Sequence, residues 1–366
     1  MNRNEDRAST SPEEAAAPPP FLLGDVRKAG DPGGPLQVAP LGELRPAQEA
    51  YWQALYDLYG SRVQQSPAYA RAVGESGRDV LVVMGHRGVF PLHLGSDVCT
   101  ALGGDRPLLA DATGPLPLVP LVAAAAEATG LPVYLPLVDA SLAEAGVVEA
   151  FSVWERPPNS LIDWSLDGAD LWDRVTDRGG SQWGRKQRLV ERDGLILSFG
   201  QSGEAAAEEV LRIDDRSWKS ARRQNMRARE GQDKLYTGLI VSGVLTATFL
   251  RDGDRSVAFR LDSRVKGRLT CLKWSYDESY RRYSPGVHLL TQGLRQEWRG
   301  RGIEVVDLHG SPDSLKDLLC TDRVSRVDLW YGDLLAGARR AAERTGFDRR
   351  MRAVRDGGKG LRHAFE

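Results

Sequence analysis

Four short apolar segments in series, over residues 234–276, constrain the fold more than any other part of this 366-residue chain. They read KLYTGLIV, VLTATFLR, SVAFRLD and RLTCLKWSY, and each mixes apolar and polar positions as strands do. The connections between them contain Ser242-Gly243, Asp252-Gly253-Asp254 and the stretch from Ser263 to Gly267, and such residues are typical of hairpin turns. We therefore predict an antiparallel meander of four strands.

The segment YRRYSPGVHLL, residues 280–290, follows the meander directly. It predicts a turn into a helix over residues 287–301, and a strand over 303–308 that runs parallel to the last strand of the meander. The helix would then begin at the mouth between two strands, where free backbone N–H groups and the helix dipole favour an anion. Proline and glycine fix such a turn and admit a close ligand. An ordinary turn with solvated arginines explains the local sequence equally well.

The remaining segments predict an α/β fold with a mixed sheet and helices on both faces. In the second half, a basic helix capped by Ser181 ends at Gly194 and is followed by the strand LILSFG, a long helix over 204–229, a late strand SRVDLWY and a closing helix. In the first half, a helix over 47–63 precedes two strands joined by a turn at 85–88, and helix-like and strand-like segments alternate from 115 to 153.

Changes in composition divide the chain into four parts. Residues 1–40 are rich in Pro, Ala, Glu and Gly and predict a disordered leader. Residues 41–165 predict an N-terminal α/β domain, and residues 166–345 predict a second domain that contains the meander. Residues 346–366 form a basic C-terminal tail.

Charge is distributed unevenly between the two halves. From Met1 to Asp177 the chain has 12 Lys and Arg against 24 Asp and Glu, and from Arg178 to Glu366 it has 37 against 26. Such asymmetry indicates an anionic partner for the basic half, or an interface between an acidic and a basic domain.

Several classes of protein are excluded by what the sequence lacks. Three scattered cysteines favour neither a disulfide framework nor a zinc site, so we expect no metal and a cytoplasmic location. The most apolar region, residues 115–138, is interrupted by Glu127 and by prolines, and we expect no membrane span. No Walker loop, dinucleotide fingerprint or nucleophilic triad appears, which argues against NTPases, dehydrogenases and hydrolases.

Four motifs of the second half carry a resemblance to a known family: WGRKQRLVERDG, RSWKSARRQ, KWSYDESYRRYSPGVHLL and GIEVVDLHGSPDSLK. Over residues 183–335 the chain resembles the GNAT superfamily of acyltransferases, in particular the branch related to cellulose-biosynthesis acetyltransferases and Fem-type aminoacyl transferases. Asp307 and Lys316 keep the spacing of that branch's Asp…Tyr-Lys pattern, although Leu315 replaces the tyrosine. The first domain would correspond to the degenerate first unit of tandem GNAT proteins.

The resemblance implies an acyl group held in a wedge between the strands at 269–276 and 303–308. The implied donor-binding residues belong to the first of these strands and to the loop and helix that follow it: Trp274, Ser275, Tyr276, Arg281, Arg282, Ser284, Gly286 and Val287. The usual RxxGxG/A pyrophosphate loop is absent, so the donor is either an acyl-CoA or an aminoacyl-tRNA. No covalently bound cofactor is expected.

An attacking amine must lose a proton, which requires a carboxylate, histidine or similar group near the wedge. We take Asp307, Asp277 and His288 as candidates for this role and Tyr283 as a candidate to protonate the leaving thiolate or ribose hydroxyl, with Lys316 as polar support. Asp307 is the first choice because polar side chains at strand ends face ligand crevices in α/β sheets. A salt bridge from Asp307 to Lys316 and a packed role for His288 are the structural alternatives.

Basic side chains along two helices form a predicted patch: Arg185, Lys186, Lys219, Arg222 and Arg223. The wider stretches over 219–229 and 339–362 suit contacts to RNA phosphates, or are solvated helix faces. We therefore expect a small-molecule amine as acceptor and tRNA as an optional partner, with no DNA and no membrane.

Three functions remain open. The first is acyl transfer from acyl-CoA to a small amine, the second is aminoacyl-tRNA-dependent amide formation, and the third is a non-catalytic GNAT-like scaffold. An acidic first domain would favour a cationic acceptor.

Overall fold

The computed structural model describes residues 36–111, 117–142, 149–164, 168–298 and 302–332. Most of the predicted leader, the predicted tail at 346–366 and the basic stretch at 339–362 lie outside these residues. Residues 37–40, which the prediction assigned to the leader, form an edge strand. In the described part of the chain, no helix is long and apolar enough to cross a membrane.

The described residues of the first half include seven strands and three α-helices. In chain order these are β1 (Gln37–Pro40), α1 (Pro46–Tyr59), α2 (Pro67–Glu75), β2 (Val80–Gly85), β3 (Gly88–Leu94), β4 (Cys99–Ala101), β5 (Leu109–Ala110), α3 (Leu118–Thr129), β6 (Val133–Asp139) and β7 (Ser152–Asp163). The predicted helix over 47–63 is present as α1 but ends at Tyr59, before Gly60.

The second half supplies the remaining elements. They are α4 (Gly168–Arg192), β8 (Ile196–Gln201), α5 (Glu204–Asp215), α6 (Trp218–Ala221), α7 (Gln232–Val241), β9 (Thr246–Asp252), β10 (Arg255–Val265), β11 (Arg268–Tyr276), α8 (Pro285–His288), a π-helical turn (Leu289–Gly293), α9 (Leu294–Trp298), β12 (Val305–Asp307), α10 (Ser314–Leu319) and β13 (Asp322–Tyr331). The stretch from α8 to α9 is one helical run over residues 285–298.

The thirteen strands of the described residues belong to one mixed sheet, in the order β1-β2-β3-β4-β6-β13-β7-β12-β11-β10-β9-β8, with β5 paired to β3. The mixed α/β architecture is therefore as predicted. β13 comes from the end of the described chain but lies between β6 and β7 of the first half. The predicted domain boundary at residue 165 consequently divides a continuous sheet.

Apolar side chains cover both faces of this sheet. On one face, α1, α2, α5 and α7 share a single core that includes Trp52, Ile213 and Phe259. On the other face, α3 packs over the first half of the sheet, while α4, the helical run and α10 pack over the second half. Alternation along the strands explains this division, because successive side chains point to opposite faces.

The predicted first strand of the meander is wrong, because KLYTGLIV forms helix α7. Its buried residues, Leu235, Leu239 and Ile240, lie at helical spacing and pack into the core shared with α5. Gly243, with φ +74°, ends the helix and does not form a hairpin turn. The antiparallel meander of four strands consists instead of β8, β9, β10 and β11.

Two further helix predictions differ from the structure. Ser181 does not cap a helix, because α4 begins thirteen residues earlier, at Gly168. The predicted helix over 204–229 ends at Asp215, and Ser217 caps the short helix α6 by accepting from the Lys219 backbone N–H. This break matters for the site, since it turns residues 218–219 toward β11.

Candidate active site where two strands part

The predicted parallel pairing of the two wedge strands is confirmed, and it is short. Arg268, Leu269 and Thr270 of β11 pair with Val305, Val306 and Asp307 of β12. β12 ends there, whereas β11 continues to Tyr276. Over residues 271–276, β11 therefore keeps its partner β10 on one edge and has no strand partner in the described residues on the other.

A bulge lies where the strands part. The register between β10 and β11 shifts so that Leu261 faces Lys273 and Asp262 faces Cys271, which leaves Leu272 as the extra residue. A bulge bends its strand and re-aims the neighbouring side chains. Leu272 packs against the core of the α5–α7 face, and the Lys273 Nζ lies over the Tyr236 ring of α7, 5.2 Å from its centroid.

The open edge of β11 presents backbone groups to the space between the strands. The Lys219 Nζ donates to the Trp274 carbonyl oxygen at 2.6 Å, so this carbonyl points away from β10. In a strand, the N–H and C=O of one residue point to the same side. The Trp274 N–H is therefore also directed into the gap, where it is placed to donate to a ligand carbonyl.

A cavity of about 950 Å³, called here the wedge cavity, occupies this gap. Its wall includes all eight residues of the predicted donor site, together with Arg185, Lys186, Lys219 and Lys316. The other wall residues, which belong neither to the predicted donor site nor to the predicted basic patch, are Gln182, Trp218, Leu272, Lys273, His309, Gly310, Asp313 and Leu315. The structure thus brings the predicted donor residues together, and their binding role stays a prediction.

The wall of the wedge cavity is strongly cationic. Seven lysines and arginines contribute to it, whereas Asp313 is the one carboxylate among its described residues: the cations are Arg185, Lys186, Lys219, Lys273, Arg281, Arg282 and Lys316. This imbalance creates a positive potential, which attracts an anionic ligand.

The turn between β11 and the helical run forms one end of the cavity. Ser284 has φ +51° and ψ +57°, a left-handed conformation that reverses the chain, and Pro285 then begins the helix with its fixed φ. The first N–H groups of a helix have no intrahelical acceptor, and Gly286 and Val287 of this first turn line the cavity. The Lys186 Nζ donates to the Arg282 carbonyl and ties α4 to the turn.

Arg281 and Arg282 extend from this turn into solvent. Their side chains are 78% and 68% exposed. Arg281 lies 3.5 Å from Glu278 and Arg282 lies 3.4 Å from Asp193, which are loose surface pairs. Both guanidinium groups are therefore available to an incoming phosphate.

Asp307 is buried, with 2% exposure, and is not part of the described cavity wall. Its carboxylate accepts from the Asn159 Nδ2 at 2.7 Å, from the His309 backbone N–H at 2.9 Å and from the Arg268 Nη1 at 3.2 Å. It is thus paired with Arg268 and not with Lys316. These contacts hold β12 against β7 and β11 and fix the start of the loop that lines the cavity; its catalytic role stays a prediction.

Lys316 organises the same loop from its other end. Its Nζ donates to the carbonyls of His309 at 2.6 Å and Ser311 at 2.8 Å, and lies over the Trp274 ring. Burial lowers the pKa of Lys316 below its usual value, although Asp313 raises it. Asp313 caps α10 by accepting from two backbone N–H groups. The spacing between Asp307 and Lys316 therefore corresponds to two anchors of one loop.

The other three catalytic candidates also lie off the described wall. Burial would raise the pKa of Asp277, but hydrogen bonds from Ser279 and the charge of Arg255 bring that pKa below its usual value. Tyr283 is buried and donates to Asp193 at 2.7 Å. Burial lowers the pKa of His288 to about 4, so this imidazole is neutral at pH 7. The catalytic roles of these three side chains stay predictions.

The predicted basic patch divides into two groups. Arg185, Lys186 and Lys219 line the cavity, while Arg222 and Arg223 are exposed outside its wall. The Arg222 guanidinium lies over the half-exposed Trp218 ring, 5.1 Å from its centroid. Among the described residues, no cluster of three His, Cys, Asp or Glu side chains is arranged to hold a metal ion.

Comparisons with known proteins agree with this geometry. Residues 181–317 match the family described as acetyltransferase (GNAT) domain. No curated protein sequence matches the chain significantly.

Three solved structures share the fold. The alignment with FemX covers 81% of this chain and 97% of the FemX chain, with a TM-score of 0.58 and 11% sequence identity. The alignment with L-PGS from Bacillus licheniformis covers 81% of this chain and 96% of the L-PGS chain, with a TM-score of 0.56 and 10% sequence identity. The C-terminal domain of a putative lysylphosphatidylglycerol synthetase from Agrobacterium fabrum covers 74% and 89%, with a TM-score of 0.54 and 13% identity.

At such low identity these neighbours establish the fold alone, and the family match supplies the class. The wedge between β11 and β12 lies inside the matched residues. Residues 181–317 of the chain therefore match the acetyltransferase (GNAT) domain family, and they are set in a fold shared with FemX.

Proposed function

We propose that this acyltransferase takes an acyl group from acyl-CoA and forms an amide with the amine of a small molecule. One observation carries the proposal: the wedge cavity combines the open backbone edge of Trp274 with seven cationic side chains. The first feature suits an activated carbonyl and the second suits the phosphates of the same donor.

The donor fits the cavity in one orientation. Its pyrophosphate would lie at the turn, near the N–H groups of Gly286 and Val287 and the guanidinium groups of Arg281 and Arg282. Its pantetheine arm would run along the open edge of β11 and bring the thioester carbonyl to the Trp274 N–H. A volume of about 950 Å³ is sufficient for this arm, since cavities for small ligands usually have about 300–1,000 Å³.

The chemistry is addition of the amine to the thioester carbonyl, followed by loss of the thiolate. Negative charge develops on the carbonyl oxygen in the transition state, and a fixed N–H donor there contributes about 3 kcal/mol. Correct alignment of amine and carbonyl lowers the barrier by several kcal/mol more. The protein therefore acts mainly by positioning and by electrostatic stabilisation.

The acceptor would approach the acyl carbonyl from the α5–α7 face of the sheet, opposite the face that carries the helical run. Trp274 packs on the face of the helical run, with Gly286 and Lys316, whereas Leu272 and Lys273 contact the core and the Tyr236 ring of the α5–α7 face. The cavity wall thus includes residues of both faces. No residue of the acidic first half lies on its described wall, so the cavity gives no support to a cationic acceptor.

A second candidate is an aminoacyl-tRNA as donor. The exposed cations outside and at the rim of the cavity, Arg222, Arg223, Arg281 and Arg282, extend the positive surface beyond what one CoA molecule needs. The Fem-type resemblance and the fold shared with FemX favour this donor as well. Both donors present phosphates and an activated carbonyl to the same residues.

Donor binding separates the two candidates. We expect calorimetric titration with CoA to give one site per chain, and acetyl-CoA with a panel of primary amines to release free thiol. Absence of CoA binding, together with amide formation that RNase treatment abolishes, would replace the first donor with the second. Binding of neither donor would support a non-catalytic scaffold.

A further inference from the structure

Lys219 reaches the open edge of β11 with its side chain, in the gap between the strands. It is the second residue of α6, after the break that Ser217 caps, and it is half-buried on the wall of the wedge cavity. Its Nζ lies 2.6 Å from the carbonyl oxygen of Trp274. Because the Trp274 N–H points to the same side as that carbonyl, the amine of Lys219 and the donor for the acyl carbonyl face one small volume.

The surroundings of Lys219 favour loss of its proton. Burial lowers its pKa to about 8; Asp214 of α5 raises the pKa, while Lys273 of β11 and Arg229, which follows α6, lower it further. The Asp214 carboxylate is engaged with the Met226 N–H at 2.6 Å and lies 3.9 Å from the Lys273 Nζ. Within the described residues, no carboxylate lies within 4.0 Å of the Lys219 Nζ.

Other titratable groups on the wall are less suited to accept a proton. Lys316 donates to two carbonyls that hold the loop. Burial lowers the pKa of Lys273 as well, but Asp214, 3.9 Å from its Nζ, raises that pKa, and the Nζ lies over the Tyr236 ring. Burial lowers the pKa of His309, which makes its imidazole a weak base, and Asp313 caps α10.

We propose that Lys219 is the general base of the transfer and takes the proton of the acceptor amine. This inference rests on the proposed N-acyl transfer. A neutral Lys219 amine has two N–H groups and a lone pair, so it can keep its bond to the Trp274 carbonyl while the lone pair faces the cavity. The side chain that looked like part of an RNA-binding patch in the sequence is thereby assigned to the reaction itself.

The proton transfers balance as follows. The acceptor's ammonium gives one proton to the Lys219 Nζ, and the freed lone pair forms the C–N bond to the acyl carbon. The C–S bond then breaks with its electron pair going to sulfur, and the second proton moves from the new amide nitrogen to that sulfur. Lys219 finally returns its proton to solvent.

The first test measures the titration of Lys219 without any acyl donor. Trace labelling with acetic anhydride across pH 6–11, followed by mass spectrometry of peptides, reports the neutral fraction of each lysine. We expect a midpoint near pH 8 for Lys219, well below the value of about 10.4 that lysine has in model peptides. A Lys219 midpoint near the model-peptide value would overturn the proposal, whichever donor the enzyme uses.

The second test uses Lys219→Met and Lys219→Arg with acetyl-CoA and two amines of different pKa, benzylamine and glucosamine. A general base must be neutral to act, so in the wild type kcat/KM should rise with pH on an acidic limb that stays at the same pH with both amines. We expect both variants to lose this limb and about 10²–10⁴-fold in kcat/KM, with a much smaller change in CoA affinity. Arginine cannot act as a base, so its charge should not rescue the rate.

Lys234→Met is the matched control and should behave as wild type. A Lys219→Met protein that is folded by circular dichroism and keeps the wild-type rate and pH limb would refute the role of Lys219. If the wild type binds no CoA, the proposed donor is wrong, and the labelling midpoint alone then decides whether Lys219 is a base.

Discussion

Two charged regions meet at β11, and they differ in how their charges are balanced. On the paired edge, Arg260 of β10 stands opposite Trp274 and is fully buried. Its guanidinium donates to Asp262 and Glu297 and to the Leu289 carbonyl at the π-helical turn. On the open edge, the wedge cavity has seven cations and one carboxylate.

The difference separates structural charge from charge available to a ligand. A buried arginine with two carboxylate partners connects the sheet to the helical run and has no capacity left for another anion. Three of the seven cations of the cavity, Lys186, Lys219 and Lys316, donate to carbonyls, which carry no net charge. The carboxylates paired with three of the other cations lie at 3.4–3.9 Å, so the positive charge of the cavity is only partly balanced. The charged residues therefore have opposite consequences on the two edges of one strand.

The largest effect is expected from Arg260→Met. This variant leaves Asp262 and Glu297 as buried carboxylates with reduced compensation, and should lose about 3–5 kcal/mol of unfolding free energy. Urea denaturation followed by circular dichroism measures it. Adding Asp262→Leu and Glu297→Leu to the same chain should recover most of the loss.

The control for Arg260 is Arg323→Met, because the ion pair of Arg323 with Asp317 has side-chain exposures of 47% and 44%. Its removal should change the unfolding free energy by less than about 1 kcal/mol. Equal losses in Arg260→Met and Arg323→Met would mean that the balanced network does not stabilise the paired edge.

Lys316 combines the two roles, because it stabilises a loop and also lines the wedge cavity. Lys316→Met removes two charge-assisted hydrogen bonds to the loop carbonyls, and should lower the unfolding free energy by about 2–3 kcal/mol. Because His309 and Gly310 of this loop line the cavity, CoA affinity should fall as well. Unchanged stability with reduced CoA affinity would instead make Lys316 a direct ligand of the donor.

His288 lies in the chain between Gly286 of the cavity and Leu289 of the Arg260 network. Burial lowers its pKa from 6.5 to about 4. The unfolded chain therefore binds the proton first, so the stability from the neutral imidazole is complete above pH 6.5 and is lost as pH falls toward 4. We expect up to about 2 kcal/mol less unfolding free energy at pH 5 than at pH 8.

His288→Gln isolates this contribution, because glutamine does not titrate and all carboxylates are unchanged. The variant should show a smaller loss of stability between pH 8 and pH 5 than the wild type in urea denaturation. An identical pH dependence in the two proteins would show that His288 is not buried in its neutral form.

Much of the fold was predictable because its signals are local. Pro and Gly at residues 285–286 mark the start of the helical run, and the Asp-Gly turn at 252–253 marks a hairpin between β9 and β10. The strand prediction for segment 234–241 is wrong because a short run of apolar residues fits the period of a strand and that of a helix equally well. Packing of this segment against α5 favours the helix. The insertion of β13 between β6 and β7 depends on long-range pairing, which no local pattern reveals.

The candidate site was predictable for its backbone and less so for its side chains. Residues 274–287 form one continuous strand, turn and helix start, so their proximity follows from sequence order. Lys219 and Lys273 meet the cavity only because the helix breaks after Asp215 and because Leu272 is bulged. A lysine inside an otherwise apolar strand, such as Lys273, was the available signal.

The smallest effect tests the open edge directly. Arg281→Ser combined with Arg282→Ser removes two exposed cations at the rim of the cavity. Their ion pairs are loose, so the unfolding free energy should stay within about 0.5 kcal/mol of wild type. CoA affinity should fall about tenfold, and its salt dependence should become weaker, because charge attraction at an exposed site is screened by ions. Titration calorimetry at two salt concentrations, with Arg323→Ser as a matched exposed control, measures both. The comparison fails if the double variant loses as much stability as Arg260→Met and keeps its CoA affinity. The cations at the open edge would then stabilise the fold and would not bind the donor.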